Sequence, residues 1–194
     1  MSGDEHHGRE QRHVKFHLSD FELGELRSLL EVLSKRYFEL AGEASDPELP
    51  EGLAPYDEME ATVGLAFVAA QACVERIRFG FLSEPEAALD AGPALRTGAA
   101  VVRVIHEAAN IWKHLGERKS ADEGRRRARV RAMFEQLGVD VTKEYPLANV
   151  LHAMKDQGVP DLDVLADWIT EWRNAVVGPR YEIPIMEFDE DDEV

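Results

Sequence analysis

The sequence contains a single cysteine, Cys73, in 194 residues. One thiol excludes an internal disulfide framework and a zinc site built on several thiolates, and it favours a reducing compartment. Cys73 lies in an apolar stretch, which favours a buried, inert thiol over a nucleophile. No apolar run approaches the roughly 20 residues that span a bilayer, and the first residues lack the apolar core of a signal peptide. We therefore expect a cytoplasmic protein without membrane partners.

The common catalytic motifs are missing as well. The sequence has no Gly-rich phosphate loop, no serine nucleophile elbow and no kinase signature. Residues 106–110 (HEAAN) have the form of the zincin motif, with Asn110 where the second histidine ligand stands. Because an amide oxygen is a poorer zinc donor than an imidazole, we predict no metal site on His106, Asn110 and His114, and no other cofactor.

The composition, with 44% hydrophobic and 31% charged residues, is typical of a globular protein. The length favours one domain. Apolar residues recur every three or four positions and predict helices over about 19–42, 56–82, 94–116, 122–137, 146–157 and from about 162 to 177. Only residues 180–185 alternate like a strand, and Pro184 argues against a central strand. The apolar stripes place six large side chains in the core: Phe67, Ile77, Ile105, Trp112, Ile169 and Trp172.

The predicted fold is therefore all-α, an antiparallel bundle of about five to six helices. We expect a single helical domain over residues 19–182, with a flexible lead-in over residues 1–18 and an acidic tail over residues 183–194.

The net charge of −16 comes from 22 basic and 38 acidic residues, and the excess is concentrated. Residues 39–60 hold eight acids and no Lys or Arg, and residues 187–194 hold six more acids. A basic run has the opposite sign and can meet phosphates, meet an acidic partner or simply form a solvated surface. Its members are Arg118, Lys119, Arg125, Arg126, Arg127, Arg129 and Arg131.

The acidic tail has three interpretations. Its density of like charge prevents it from packing against itself, so in isolation it should be mobile. It can serve only as a solubilising terminus, cover the basic run, or dock on a basic partner with Ile185 and Phe188 as apolar anchors. The docking interpretation assigns the charged contacts to Asp189, Glu190, Asp191 and Asp192.

One polar helix face carries most of the chemistry-bearing side chains. On a helical wheel, residues 94–116 present an apolar side and an opposite side with Arg103, His106, Glu107, Asn110, Lys113 and His114. Histidines at His106 or His114 can act as general acid or base, and the cations can hold a phosphate. The simpler interpretation is an ordinary solvent-exposed helix face.

Residues 110–114 (NIWKH), late in a helix of an all-helical domain, resemble the HEPN-like proteins of prokaryotic defence and toxin systems. Members of that family typically pair as dimers, and many cut RNA without a metal. Their motif is an arginine with a polar neighbour, followed by a histidine. His114 matches the histidine and Asn110 the polar residue, while Ala108 or Ala109 occupies the arginine position. The resemblance therefore implies a divergent or inactive relative.

Two functional hypotheses follow. The first is a non-enzymatic helical interaction protein, a partner or regulator of a basic effector in a bacterial defence or toxin system. The second is a HEPN-like RNA-binding protein or metal-independent ribonuclease with His114, Asn110 and His106 as catalytic residues and Arg103, Lys113 and the basic run as phosphate contacts. The mixed helix face is also compatible with a homodimer. A cleft lined by His114 and Asn110 would favour the enzyme, and their exposure to open solvent would favour the first hypothesis.

Overall fold

The computed structural model describes residues 13–16, 20–46, 48, 55–114, 121–155, 161–177 and 181–184. Within these ranges the chain forms seven helices and one pair of short strands. The helices are α1 (Asp20–Ala44), α2 (Tyr56–Phe81), α3 (Pro85–Ala88), α4 (Val101–Lys113), α5 (Ala121–Gln136), α6 (Pro146–Met154) and α7 (Val164–Val177). The all-α prediction is confirmed. The helix count exceeds five to six because α3 is a single turn, too short to show a periodic pattern.

The start of the helix predicted over 94–116 was the least accurate boundary, and the helix predicted over 146–157 also ends early, at Met154. The pattern places a helix from 94, whereas α4 begins at Val101. Residues 94–100 instead form a turn that is closed by the backbone hydrogen bond from Leu95 N to Ala99 O, 2.8 Å long. Gly98 adopts a φ of +85° in this turn, a left-handed conformation that interrupts a helix and that glycine tolerates best.

The two strands, β1 (His13–Phe16) and β2 (Tyr181–Pro184), pair antiparallel. His13 stands opposite Pro184, and Phe16 stands opposite Tyr181. The strand at β1 was not predicted, since residues 1–18 show no sustained period. Pro184 is tolerated because it lies at the end of a pair in which both strands are edges.

The core is organised around α2, which contacts α1, α3, α4, α6 and α7. Five of the six predicted core side chains are fully buried: Phe67, Ile77, Ile105, Ile169 and Trp172. The sixth, Trp112, is only partly buried. It lies over Gly64 of α2, where a Cβ would come within 2.4 Å of the Trp112 ring. Among the described residues, no helix has the length and apolar character needed to cross a membrane.

A buried carboxylate connects α2 to α6. Tyr145 stands at the N-cap of α6 without a side-chain capping bond, and Pro146 at the next position has no N–H to satisfy. Glu60 of α2 supplies the missing acceptors, taking hydrogen bonds from the backbone N–H of Leu147 at 2.8 Å and of Ala148 at 2.9 Å. Because these donors would otherwise be unpaired, Glu60 fixes the position of the α6 N-terminus against α2.

The contact between Gly64 and Trp112 predicts a stability difference between two glycines of the same helix. Gly64→Ala places a methyl group inside the Trp112 ring and should lower the free energy of unfolding by about 1–3 kcal/mol. Gly80→Ala, also in α2, meets nothing within 4 Å and should raise stability by roughly 0.5–1 kcal/mol because alanine is the better helix former. Urea denaturation of both variants tests this. Equal effects would show that α2 and α4 are not in close contact at this point.

Candidate functional site

His106 lies at the centre of a polar network between α2 and α4. Its Nδ1 atom is 3.1 Å from Glu75 Oε1 and 3.2 Å from Gln71 Nε2. The side chain is only 12% exposed. Of the histidines on the predicted polar face, this is the one that the fold encloses.

The hydrogen bonds of Gln71 identify the protonated ring nitrogen of His106. The Gln71 amide has two hydrogens, and it donates to the backbone carbonyl of His106 and to Asn110 Oδ1, each at 3.1 Å. The Glu75 carboxylate only accepts, so the Nδ1 proton of His106 is directed to Glu75. The other ring nitrogen, Nε2, keeps its lone pair and has no hydrogen-bond partner among the described residues.

Burial lowers the pKa of His106 below its ordinary value of 6.5 and outweighs the opposing effect of Glu107 and Glu75. The ring is therefore neutral at neutral pH. A neutral imidazole with one nitrogen held by a carboxylate and the other open is the arrangement that general-base chemistry requires.

The prediction that Glu107 lies on the solvent-facing side of the helix was wrong. Its exposed fraction is only 9%, and Asn110 Nδ2 donates to Glu107 Oε2 at 3.3 Å. The wheel is correct about neighbours within α4, but it cannot show that other elements cover this part of the polar face.

Two arginines near His106, Arg103 and Arg78, are already paired. Arg103 Nε is 2.9 Å from Asp90 Oδ1, and its Nη2 is 2.7 Å from Asp90 Oδ2. This bidentate pairing lowers the pKa of Asp90. Arg78 is buried, with Nε 2.7 Å from Glu75 and Nη1 3.0 Å from Glu86. Arg103 is therefore already paired with a carboxylate and is not an unpaired cation available to bind a phosphate.

Sequence reasoning missed three residues of the network on α2: Gln71, Glu75 and Arg78. They recur at intervals of four and three in an otherwise apolar helix, which places them on one stripe. That polar stripe is the signal that could have found them.

Two clefts meet at His106. The larger has a volume of about 1050 Å³, and Arg103, Glu107 and Arg129 also line it. The smaller, about 480 Å³, lies between α2 and α4 and is lined by Gln71, Glu75, Asn110 and Lys113 as well as His106.

The structure thus divides the predicted site. Asn110 and Lys113 line the smaller cleft with His106, whereas His114 is exposed at the C-cap of α4 and lines neither cleft. Arg131 is exposed on α5 and also lies outside both clefts. The remaining members of the basic run have no described side chains: Arg118, Lys119, Arg125, Arg126 and Arg127. The tail contacts also lie outside the described residues: Ile185, Phe188, Asp189, Glu190, Asp191 and Asp192.

An acidic surface lies where α1 and α2 adjoin. Its exposed members are Glu39, Glu43, Asp46, Glu48, Asp57 and Glu58. Arg36 Nη2 is 2.8 Å from Glu58, while its Nη1 is 3.6 Å from Glu39 and 3.8 Å from Glu43. Asp46, Glu48 and Asp57 have no ion-pair partner in the part of the chain that the structure describes. We call these six residues the α1–α2 acidic surface.

No protein-family model, curated protein or solved structure matches this chain. Within the described ranges, no group of three or more His, Cys, Asp or Glu side chains is placed to hold a metal ion. Cys73 is buried in the core, and burial raises the pKa of its thiol to about 12. A thiol with so high a pKa is not an activated nucleophile.

The lowered pKa of His106 predicts a pH dependence of stability. In the unfolded chain the histidine has its ordinary pKa, so below about pH 7 the unfolded chain binds more protons than the folded protein. The free energy of unfolding therefore decreases as the pH is lowered. His106→Gln removes this contribution, so the variant should lose less stability than the wild type between about pH 7 and pH 5.5. Urea denaturation at both pH values measures the difference. His114→Gln is the matched control, because His114 is exposed at the C-cap of α4. If His106→Gln lost as much stability as the wild type over this range, the assignment to His106 would be wrong.

Proposed function

We propose that this chain is a non-enzymatic interaction protein that binds a basic partner through the α1–α2 acidic surface. The observation that carries the proposal is the contrast between two regions. Two cations beside His106 are neutralised by carboxylates of the same chain, with Arg103 on Asp90 and Arg78 on Glu75 and Glu86. On the acidic surface, Arg36 pairs with Glu39, Glu43 and Glu58. The other three of the six exposed carboxylates have no ion-pair partner among the described residues.

The energetics of exposed charges support this proposal. The side chains of Arg36 and its partners are about half exposed, and exposed ion pairs contribute only about 0–1 kcal/mol each. Arg36 can therefore exchange partners at small cost when a basic surface approaches. The uncompensated carboxylates would attract such a surface and orient it. The HEPN-like resemblance suggests a basic effector of a bacterial defence or toxin system as the partner.

Binding of an oligoarginine peptide tests the proposal. Replacing four acids of the surface (Glu39→Gln, Glu43→Gln, Asp57→Asn, Glu58→Gln) should weaken binding at low salt about tenfold, at roughly 0.3–0.5 kcal/mol for each charge. The control replaces four exposed acids elsewhere: Glu25→Gln, Glu31→Gln, Glu135→Gln and Glu171→Gln.

The two variants have the same net charge. If net charge alone determined the affinity for the peptide, the affinity would fall equally in both. That result would contradict the proposal. If the peptide binds the α1–α2 acidic surface, the control variant should bind it with an affinity within about twofold of the wild type. The difference in affinity between the two variants should decrease as salt is added. Calorimetric titration or fluorescence anisotropy measures all three proteins.

A second candidate function is metal-independent RNA cleavage at the smaller cleft. The observation that favours it is the pair of Glu75 and His106, with Nε2 of His106 open and Lys113 lining the same cleft. In this account His106 would take the proton from the attacking 2′-hydroxyl, and Lys113 would contact the phosphate. The bond from phosphorus to the 5′ oxygen would break as the new bond forms, and the leaving 5′ oxygen would take its proton from water.

Incubation of the protein with total RNA in EDTA tests the second candidate. Cleavage should be lost in His106→Gln and retained in His114→Gln, because only His106 lines a cleft. Cleavage that is lost in His114→Gln instead would contradict this placement. RNA that stays intact with the wild-type protein would reject the second candidate as a whole.

A further inference from the structure

Two tyrosines form a ring pair beside the α1–α2 acidic surface. Tyr56 is the first residue of α2 and is 46% exposed. Tyr145 stands at the N-cap of α6 and is partly exposed. Their ring centroids are 5.7 Å apart and their planes are inclined at 50°. The two rings are therefore not buried in the core and expose aromatic surface to solvent.

The position of Tyr145 is fixed by its surroundings. Its φ of 55° lies in the left-handed region, which is unfavourable for a residue with a side chain. Pro146 restricts the backbone on one side, and Glu60 anchors the next two N–H groups. The hydroxyl of Tyr145 has no hydrogen-bond partner among the described residues, so the fold holds this ring in place without using its polar end.

Carboxylates stand next to both rings. Asp57 follows Tyr56 in the chain, and Glu144 precedes Tyr145; both acids are exposed. Partial burial raises the pKa of Tyr145, and Asp57 and Glu144 raise it further. Two exposed carboxylates therefore lie near the ring pair, and neither of them has an ion-pair partner within the described part of the chain.

Aromatic faces with carboxylates nearby favour one class of ligand. The negative face of a tyrosine ring attracts a cation, and the flat guanidinium of arginine also stacks on the ring. Carboxylates at the rim then accept its N–H groups. An anionic ligand would be repelled, and a neutral apolar ligand would leave the acids without partners.

We propose that Tyr56 and Tyr145 hold an arginine side chain of the basic partner, with Asp57 and Glu144 accepting its guanidinium N–H groups. This inference rests on the proposed function, because it names the contact that anchors the basic partner. The rest of the α1–α2 acidic surface supplies attraction at longer range, while the tyrosines distinguish arginine from other cations.

Substitutions that keep or remove the aromatic ring test the inference. Tyr56→Phe retains the ring and should bind an oligoarginine peptide within about twofold of the wild type. Tyr56→Leu retains apolar bulk without the ring and should bind about three- to fivefold more weakly, the loss expected for one exposed cation–π contact. Tyr145→Phe and Tyr145→Leu form a second pair with the same expectation. Thermal melting of each variant shows that it is folded.

The outcomes separate this inference from the function on which it rests. If the wild type binds the peptide and the Leu variants bind equally well, the tyrosine contact is wrong and the acidic surface alone explains binding. If the wild type does not bind oligoarginine, the proposed function itself fails. An oligolysine peptide that lacks the flat guanidinium should bind the wild type more weakly than oligoarginine, and equal affinities would contradict the stacking contact.

Discussion

The carboxylate of Glu60 determines where α6 begins, because it accepts hydrogen bonds from two backbone N–H groups of the first turn. Helices normally satisfy these first donors with a side chain of their own N-cap. Tyr145 cannot do this, so the acceptor comes from a residue more than 80 positions earlier in the chain. Because the partners are buried, removing Glu60 would leave donors without water or protein to receive them. This contact also places Tyr145 next to Tyr56, so the proposed binding surface depends on it.

The charges of the molecule are organised along α2. Towards its C-terminal end, Arg78 is enclosed by Glu75 and Glu86, and on the adjoining α4 Arg103 is matched by Asp90. At its N-terminal end, the carboxylates around Arg36 exceed the cations available to them. The first region holds the helices together, while the second is the surface that we propose binds a basic partner. A net charge summed over the chain shows neither property.

The periodicity of apolar residues was sufficient to predict the helices and most of the core, because burial of a stripe depends on local spacing. It could not predict which distant residues meet. Glu60 was counted among the eight acids of residues 39–60, yet it is buried and its carboxylate accepts from the N-terminus of α6. The helical wheel did not distinguish His106 from His114. Because α4 ends at Lys113, His106 is enclosed, whereas His114 lies at the exposed C-cap. Gly98 stops the helix that the apolar pattern alone would extend back to residue 94.

In the proposed function, a basic partner is recognised at the N-terminal end of α2, beside α1 and α6, and not at the polar face of α4. The most direct test is to follow the backbone amide NMR signals of the full chain during titration with an oligoarginine peptide. We expect the largest shifts at residues 56–58, 144, 145, 147 and 148, with the signals of residues 103–113 nearly unchanged. Largest shifts around His106, with residues 56–58 unaffected, would contradict the account.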